Sequence, residues 1–587
     1  MSTSYKSLFT FLARYKWRYL LGVLALLGTD LFQQVMPRVL GNFVQDLRDG
    51  TLDTQGIYQY LGLILGAALI IAVLRYVWRI YVFGTARLVE RDLRADLFAH
   101  LERLSASFFH RHKTGDLMAM ATNDLQAVRG FAGEGVLMTA DGIGMTLFTL
   151  IAMVYSIGWK LSLWALLPLP LLALAIMLTG KLIFARSRAV QDGFAKLSDL
   201  VQENISGVRV IKAYSQEPAE EAKFESANRE YIKRFMSMAQ VNGIFDPLIN
   251  LFAGLCFVFA IAVPGRAVLR GEIELGDFVS LSVYIGMLIW PMIAMGWVVN
   301  LIQRGFAAFS RIKEVLMEQP EVVDGPQTTL PANGTIRGQI EIRDLTFQYV
   351  NQNRPALNQI SLSIAPGQTM GILGRTGSGK STLVSLLARV FNPPRGTVFI
   401  DGVDVLDLPL EMVRKAIAFV PQESFLFSRT VGENIGFAPG DWTMEHVQGA
   451  ARTAQVEQDI LEFLPQGYET MVGERGVTLS GGQRQRVGLS RAVLKEAPIL
   501  VLDDCLSAVD TSTEQRILNG LRPVMADRTT IVISHRVAAV KAADLIIVLE
   551  HGQIVESGTH EQLVDLGGRY FRTFQRQQLE EAIANLD

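Results

Sequence analysis

The sequence predicts a multidomain membrane protein: a six-helix all-α transmembrane domain, then an α/β domain built on a glycine-rich strand–loop–helix motif. Three observations carry this. At 587 residues the chain is too long for one ordinary domain. Half of it is hydrophobic and only 19% is charged, against about 25% charged in soluble domains. The apolar runs stop near residue 305, and an ordinary globular mixture begins near residue 338. The mean hydropathy of +0.26 averages over both regimes. We therefore expect a transmembrane domain over 1–320, a linker over 321–337, an α/β domain over 338–575 and a tail over 576–587.

Composition excludes several classes. A net charge of −2 argues against a nucleic-acid binder that relies on phosphate contacts. Cys256 and Cys505 fall one in each half, so no disulfide framework is expected and a reducing compartment suits the second domain. The N-terminal residues lack a short apolar core followed by a small-residue cleavage site. The first spanning helix is therefore expected to serve as the targeting signal.

A spanning helix needs about 20 mainly apolar residues. Six runs qualify: Tyr19–Leu40, Ile57–Phe83, Val136–Ile157, Leu161–Ile183, Ile244–Val268 and Phe278–Ile302. The third and fourth are joined by a tight turn at Gly158–Lys160. The segments after the second and fourth are long, helical in pattern and basic, with Arg87, Arg91, Arg94, Arg103, Arg111 and Lys113 in one and Arg186, Arg188, Arg209, Lys212, Lys233 and Arg234 in the other. The opposite connections carry few cations. By the positive-inside rule the long segments and both termini face the cytoplasm.

Asp30, Arg75, Arg79, Asp141 and Asp246 interrupt the apolar runs. Such groups face a bundle interior or a water-filled cavity rather than lipid. Ion pairing within the chain and a role in favouring cationic compounds both remain open for the aspartates, while snorkelling accounts for Arg75 and Arg79.

In the second half, residues Ile340–Tyr349 alternate like a strand. An apolar strand then enters Gly374-Arg-Thr-Gly-Ser-Gly-Lys-Ser-Thr382, followed by a helical pattern at Leu383–Val390. This is a P-loop in its strand–loop–helix context. Gly374, Gly377 and Gly379 let backbone N–H groups converge on phosphate at a helix N-terminus. Lys380 reaches the β- and γ-phosphates of a nucleotide, and Ser381 offers a hydroxyl to Mg²⁺. The nucleotide-binding stretch is thus Gly374, Arg375, Thr376, Gly377, Ser378, Gly379, Lys380, Ser381 and Thr382. The strand Ile499–Asp503 ends in a carboxylate placed to hold the same ion.

Between these motifs, Leu479-Ser-Gly-Gly-Gln483 resembles the signature of ATP-binding-cassette (ABC) proteins. Other positions resemble that family's set: Tyr349 the aromatic residue that stacks on adenine, Gln422 the Q-loop glutamine, Ser507–Asp510 the D-loop and His535 the switch histidine. Gly473–Gly476 resembles the X-loop of exporters. In the first half, Phe108–Asp116 with Asn123-Asp124, and Glu203–Tyr214 with Glu217, resemble the two cytoplasmic coupling loops of bacterial multidrug-type ABC exporters, and Gly271–Phe278 resembles the turn into their sixth helix. The resemblance covers nearly the whole chain. It implies a half-transporter with an α/β P-loop ABC nucleotide-binding domain that uses ATP and Mg²⁺.

The resemblance further implies head-to-tail pairing. Ser480, Gly481, Gly482 and Gln483 would cap ATP held by a second ABC half-transporter, whereas Tyr349, the P-loop, Gln422 and Asp503 hold this chain's own nucleotide. Ser381, Gln422 and Asp503 are the expected Mg²⁺ residues, and Gln422, Asp504 and His535 the catalytic ones. One position departs from the family: Asp504 stands where a glutamate usually follows the strand-end aspartate. Aspartate is one methylene shorter, and a misplacement of about 1 Å costs on the order of 100-fold in rate. Slow hydrolysis at this chain's own site is expected, as in the degenerate-site subunit of a heterodimer, with a weakly active homodimer left open by His535 and a tolerated substitution with near-normal hydrolysis as the further alternative. Expected partners are that second subunit, membrane lipid and a hydrophobic small molecule, with no nucleic acid. Lipid or peptide export, or a regulatory ATP-binding subunit, would share these motifs.

Overall fold

The computed structural model describes residues 8–325, 328–331, 334–350, 352–473 and 479–584, without the side chains of Asp246, Thr511, Glu581 and Ala584. The expected X-loop residues Glu474, Arg475 and Gly476, and the side chain of Asp246, lie outside the described residues. The chain divides into two compact units, residues 1–102 with 113–318, and residues 103–112 with 319–587.

The first unit is all helix. Its six candidate spans are Lys16–Arg48, Thr54–Leu101, Thr114–Ile157, Trp159–Ser206, Glu217–Leu269 and Leu275–Met317. At about 1.5 Å per residue, 48 residues reach roughly 70 Å, more than twice the hydrocarbon thickness. The spans therefore continue as charged helices well beyond the lipid. Spans 4 and 5 pack along their length, and span 1 packs against spans 2, 3 and 6. Leu61, Leu65, Leu69 and Val73 of span 2 are all exposed, an apolar surface that lipid would cover.

Small residues bring spans 1 and 6 into backbone contact. A Cβ on Gly41 would stand 2.4 Å from the Gly276 carbonyl oxygen, so only glycine fits. Around this crossing the Ser280 hydroxyl donates to the Pro37 carbonyl at 2.9 Å, and Arg38 pairs with Asp277 at 2.5 Å. Gly158, at φ +81°, makes the turn between spans 3 and 4.

The second unit holds two sheets. Strands β1 (Ile340–Phe347), β2 (Leu357–Ile364), β3 (Thr369–Leu373), β4 (Val398–Ile400), β5 (Val403–Asp404), β6 (Ile417–Val420), β7 (Ile499–Asp503), β8 (Thr529–Ser534), β9 (Leu545–Glu550) and β10 (Gln553–Gly558) are arranged as an antiparallel β2-β1-β4-β5 sheet and a β10-β9-β3-β8-β7-β6 sheet. In the larger sheet β9, β3, β8, β7 and β6 run parallel. Every residue of β7 and β8 is buried, which is why β7 reads as a continuous apolar run up to Asp503 rather than an alternating one.

The short helix Ala106–Arg111 belongs to this unit. Phe108 is buried there, the His110 ring lies 5.7 Å from that of Phe391, and Arg111 pairs with Glu321 at 3.4 Å. The remainder of the first coupling-type segment, from Lys113 onward, belongs to the membrane unit. In the second, Ser215 takes φ +49° and Tyr214 is exposed.

Candidate nucleotide-binding site

Parallel register gathers the site. Leu373 pairs with Ser534, Asp503 with Ile533, and Val420 with Leu502. The carboxyl ends of β3, β6, β7 and β8 thus form one edge, where ligands bind in open parallel sheets. The P-loop, Gln422, Asp503, Asp504 and His535 all leave the sheet at that edge.

After β3 the chain turns through Gly377 (φ +81°) and Gly379 (φ +103°) into the helix Lys380–Leu387. Side chains rarely adopt these angles. The loop is built but incompletely satisfied: the Ser378 hydroxyl is buried without a partner. An orphaned donor at a helix start suits a phosphate oxygen. Lys380 Nζ donates to the carbonyls of Gly374 at 2.8 Å and Arg375 at 2.9 Å. Burial holds the Lys380 amine below its usual range, against the pull of Asp504 and Asp503.

Ser381 Oγ donates to Asp503 Oδ1 at 3.1 Å. Burial raises the Asp503 carboxyl above the ordinary carboxylate range, the Ser381 hydrogen bond and Lys380 oppose this, and Asp504 adds to it. A hard cation at this oxygen pair would relieve the penalty on the buried charge. The donor set, a hydroxyl and a carboxylate, fits Mg²⁺.

Asp504 takes φ +45°, a conformation in which Asp and Asn are enriched. Its N–H donates to the Ile533 carbonyl at 3.0 Å, and its carboxylate meets His535 Nδ1 at 3.0 and 3.3 Å. Two of the three expected catalytic side chains, Asp504 and His535, therefore lie in contact. Tyr349 donates its hydroxyl to Thr382 Oγ1 at 3.1 Å, with its ring edge-on to Phe347 and Phe391. Gln422 is exposed just past β6.

The signature residues form a helix start of their own. Ser480 caps Gly481–Leu494 in a reciprocal capping box with Gln483, at 3.2 and 2.9 Å. Asp459 holds this turn by accepting from Gln483 Nε2 at 3.2 Å and pairing with Arg486 at 2.6 Å. Gln485 bonds Ser507 Oγ at 3.1 Å and the Ala508 N–H at 3.0 Å, tying the signature helix to the D-loop.

Sequence reasoning missed two supporting residues. Asp459 carries no motif. Gln577, in the C-terminal helix Arg569–Ala584, donates from Nε2 to the His535 carbonyl and accepts from the Val537 N–H, both at 2.8 Å. No local signal marks a glutamine on a polar helix. Between that helix, the His535 turn and Gly374-Arg375 lies a cavity of about 1070 Å³. Cys505 is fully buried, and burial pushes its thiol up to about 12, so it is chemically inert.

Six apolar spans joined to a P-loop domain that carries its own signature helix define a membrane transporter driven by ATP hydrolysis. The chain belongs to the ABC transporter family: the model described as "ABC transporter transmembrane region" matches residues 19–292 and that described as "ABC transporter" matches 357–507. It is 39% identical to the probable multidrug resistance ABC transporter ATP-binding/permease protein YheI of Bacillus subtilis, over 98% of this chain and 97% of that protein. It is 40% identical to the multidrug resistance-like ATP-binding protein MdlA of Escherichia coli, over 97% and 96%. A lipid A-core flippase of Aromatoleum aromaticum is 36% identical over 84% and 80%. Among solved structures, a bacterial Atm1-family ABC exporter with ATP bound superposes with a TM-score of 0.78 at 26% identity, covering 96% of this chain and 98% of that one. The protein is an ATP-hydrolysing exporter that spans the membrane several times.

Proposed function

We propose that this chain is one half of a heterodimeric exporter of hydrophobic and amphipathic compounds, and that its own ATP site turns over slowly. The observation that carries this is Asp504, a short carboxylate at the end of β7, beside an intact signature helix. In this reading the P-loop and Tyr349 hold ATP, and Ser381, Asp503 and Gln422 hold Mg²⁺, which when bound neutralises phosphate charge. Asp504 and His535 flank the terminal phosphate. Ser480–Gln483 cap the partner's ATP, whose site performs most of the hydrolysis.

The multidrug names of two relatives and the apolar, forgiving character expected of the membrane unit support the substrate class. The basic long segments support a cytoplasmic placement of the nucleotide-binding domain and both termini, in the inner membrane of a bacterium. A homodimeric lipid exporter is the second reading, favoured by the identity to a lipid A-core flippase and by the presence of His535. Affinity purification of the tagged chain from its native membrane separates the two. The proposal expects a different half-transporter chain in equal amount, with a glutamate after its own strand-end aspartate. Recovery of this chain paired only with itself overturns it.

A further inference from the structure

Asp30 on span 1 and Asp141 on span 3 are far apart in sequence, yet the two spans pack together and bring the carboxyls close enough to act on one another. Asp30 has no exposed surface. Neither of its oxygens receives a hydrogen bond. The approach depends on Gly144, one turn past Asp141, where a Cβ would stand 2.8 Å from Asp30 Oδ2 and 2.5 Å from the Leu27 side chain. Two further buried atoms along the same two spans also lack partners, Gln34 Oε1 and Thr149 Oγ1. Gln34 follows Asp30 by one turn, and Thr149 follows Asp141 by two.

The charges nearby do not resolve the pair. Arg75, on span 2, acts on both carboxyls through space but donates no hydrogen bond to Asp30. Arg38 and Asp277, on spans 1 and 6, are paired with each other. Two neighbouring carboxylates inside an apolar bundle cannot both carry charge unless something positive lies near them. That can be a proton or a cationic group. Asp141 keeps part of its surface exposed, which gives a route to the pair, whereas Asp30 is closed behind it.

We propose that Asp30 and Asp141 form the binding site for a positively charged group on a transported compound. Between transport events the pair keeps one shared proton, which passes to water when the cation arrives. This inference rests on the reading of the protein as an exporter of amphipathic compounds, and it assigns that substrate a charge.

The test uses the complete transporter in lipid nanodiscs without ATP. The two probes are tetraphenylphosphonium and the neutral triphenylphosphine oxide, of similar size. Displacement of one proton makes tetraphenylphosphonium affinity rise with pH by up to about tenfold per unit, with proton uptake and release read by a dye in weak buffer, while the neutral probe shows no such slope. Asp141→Asn abolishes the slope and lowers the cation-to-neutral affinity ratio at least about tenfold, and Asp141→Glu retains the slope. Because a ratio is read, partial loss of folded protein does not imitate the effect. If a variant yields no folded protein, proton release from the unsubstituted transporter decides. A pH-independent cation affinity in that transporter overturns the acid-pair site while leaving the amphipathic-substrate reading intact, provided the neutral probe binds. Failure of both probes to bind overturns both.

Discussion

Replacing Asp504 by Asn removes the carboxylate's charge while keeping its shape and its φ of +45°, which Asn tolerates as well as Asp. Its consequence depends on which ATP site does the work. Relative to a glutamate at the same backbone position, Asp504 falls short by one methylene, on the order of 1.5 Å, and its carboxylate is held against His535 at 3.0 Å. A misplacement of about 1 Å costs roughly 100-fold, equivalent to about 2.7 kcal/mol of barrier. A site already slowed to that degree carries only about a hundredth of the turnover.

Asp504→Asn is therefore expected to change steady-state hydrolysis by the complete transporter less than about twofold. Asp504→Glu restores the reach, and the site on this chain should speed up by up to about 100-fold. Its left-handed backbone penalty, roughly 1–2 kcal/mol, falls on stability rather than on the hydrolytic step. Ser480→Arg places a bulky cation at the capping box over the partner's nucleotide and should reduce turnover more than about tenfold. The assay is steady-state ATP hydrolysis combined with photo-crosslinked azido-ATP, which reports the chain that retains each nucleotide. If Asp504→Asn stops hydrolysis as completely as Ser480→Arg, the two sites are equivalent and the asymmetric reading fails.

Two further outcomes follow from the same site. Lys380→Ala removes the cation that the proposed reading sets against the β- and γ-phosphates, an interaction of roughly 1.5–3 kcal/mol, and should weaken ATP at this chain's site by about 10- to 100-fold; equilibrium binding with two sites of unchanged affinity would count against the P-loop assignment. Gln577→Ala removes both 2.8 Å bonds that fix the His535 turn, each worth about 1 kcal/mol, and should lower kcat at this chain's own site, read by single-turnover hydrolysis of its bound ATP, about 5- to 30-fold with KM nearly unchanged, while steady-state hydrolysis by the complete transporter changes less than about twofold. Gln577→Glu, which keeps the acceptor for Val537, should fall between, and a KM effect equal to the kcat effect would instead indicate a general loss of structure.

Legibility in the sequence follows the chemistry. The P-loop could be read because its glycines, lysine and serine act through one continuous stretch of backbone. The buried strand before Asp503 could be read because parallel strands covered on both faces are apolar throughout. Helix limits in the membrane unit were less readable: hydropathy marks Ile57–Phe83, but the helix runs over Thr54–Leu101, since charged residues past the lipid continue the same backbone hydrogen bonding. Contacts between distant segments left no local trace. The meeting of Asp504 with His535 requires the β7–β8 register, and the meeting of Asp30 with Asp141 requires the crossing of spans 1 and 3. Gln577 was illegible for a further reason, since its contribution is to bond two backbone groups, which leaves no pattern in its own neighbourhood.

Connections within the nucleotide-binding domain bear on why a slow site would be retained in the proposed heterodimer. From Asp504 the chain runs three residues to Ser507, whose hydroxyl accepts from Gln485 on the signature helix. The same glutamine accepts from the Ala508 N–H, and a Cβ on Gly482 would stand 3.0 Å from the Ala508 carbonyl oxygen. The end of β7, the D-loop and the signature turn are thus held as one piece, with Asp459 fixing the far side of that turn. On the proposed reading, a nucleotide bound beside Asp504 and a nucleotide capped by Ser480–Gln483 would act on opposite ends of this piece. ATP that stays in place at the first end would keep the D-loop seated, and so keep the signature aligned for the second through successive turnovers. In the proposed heterodimer, tight binding without rapid hydrolysis would then serve the partner's site, and a short carboxylate at position 504 would favour that division of labour.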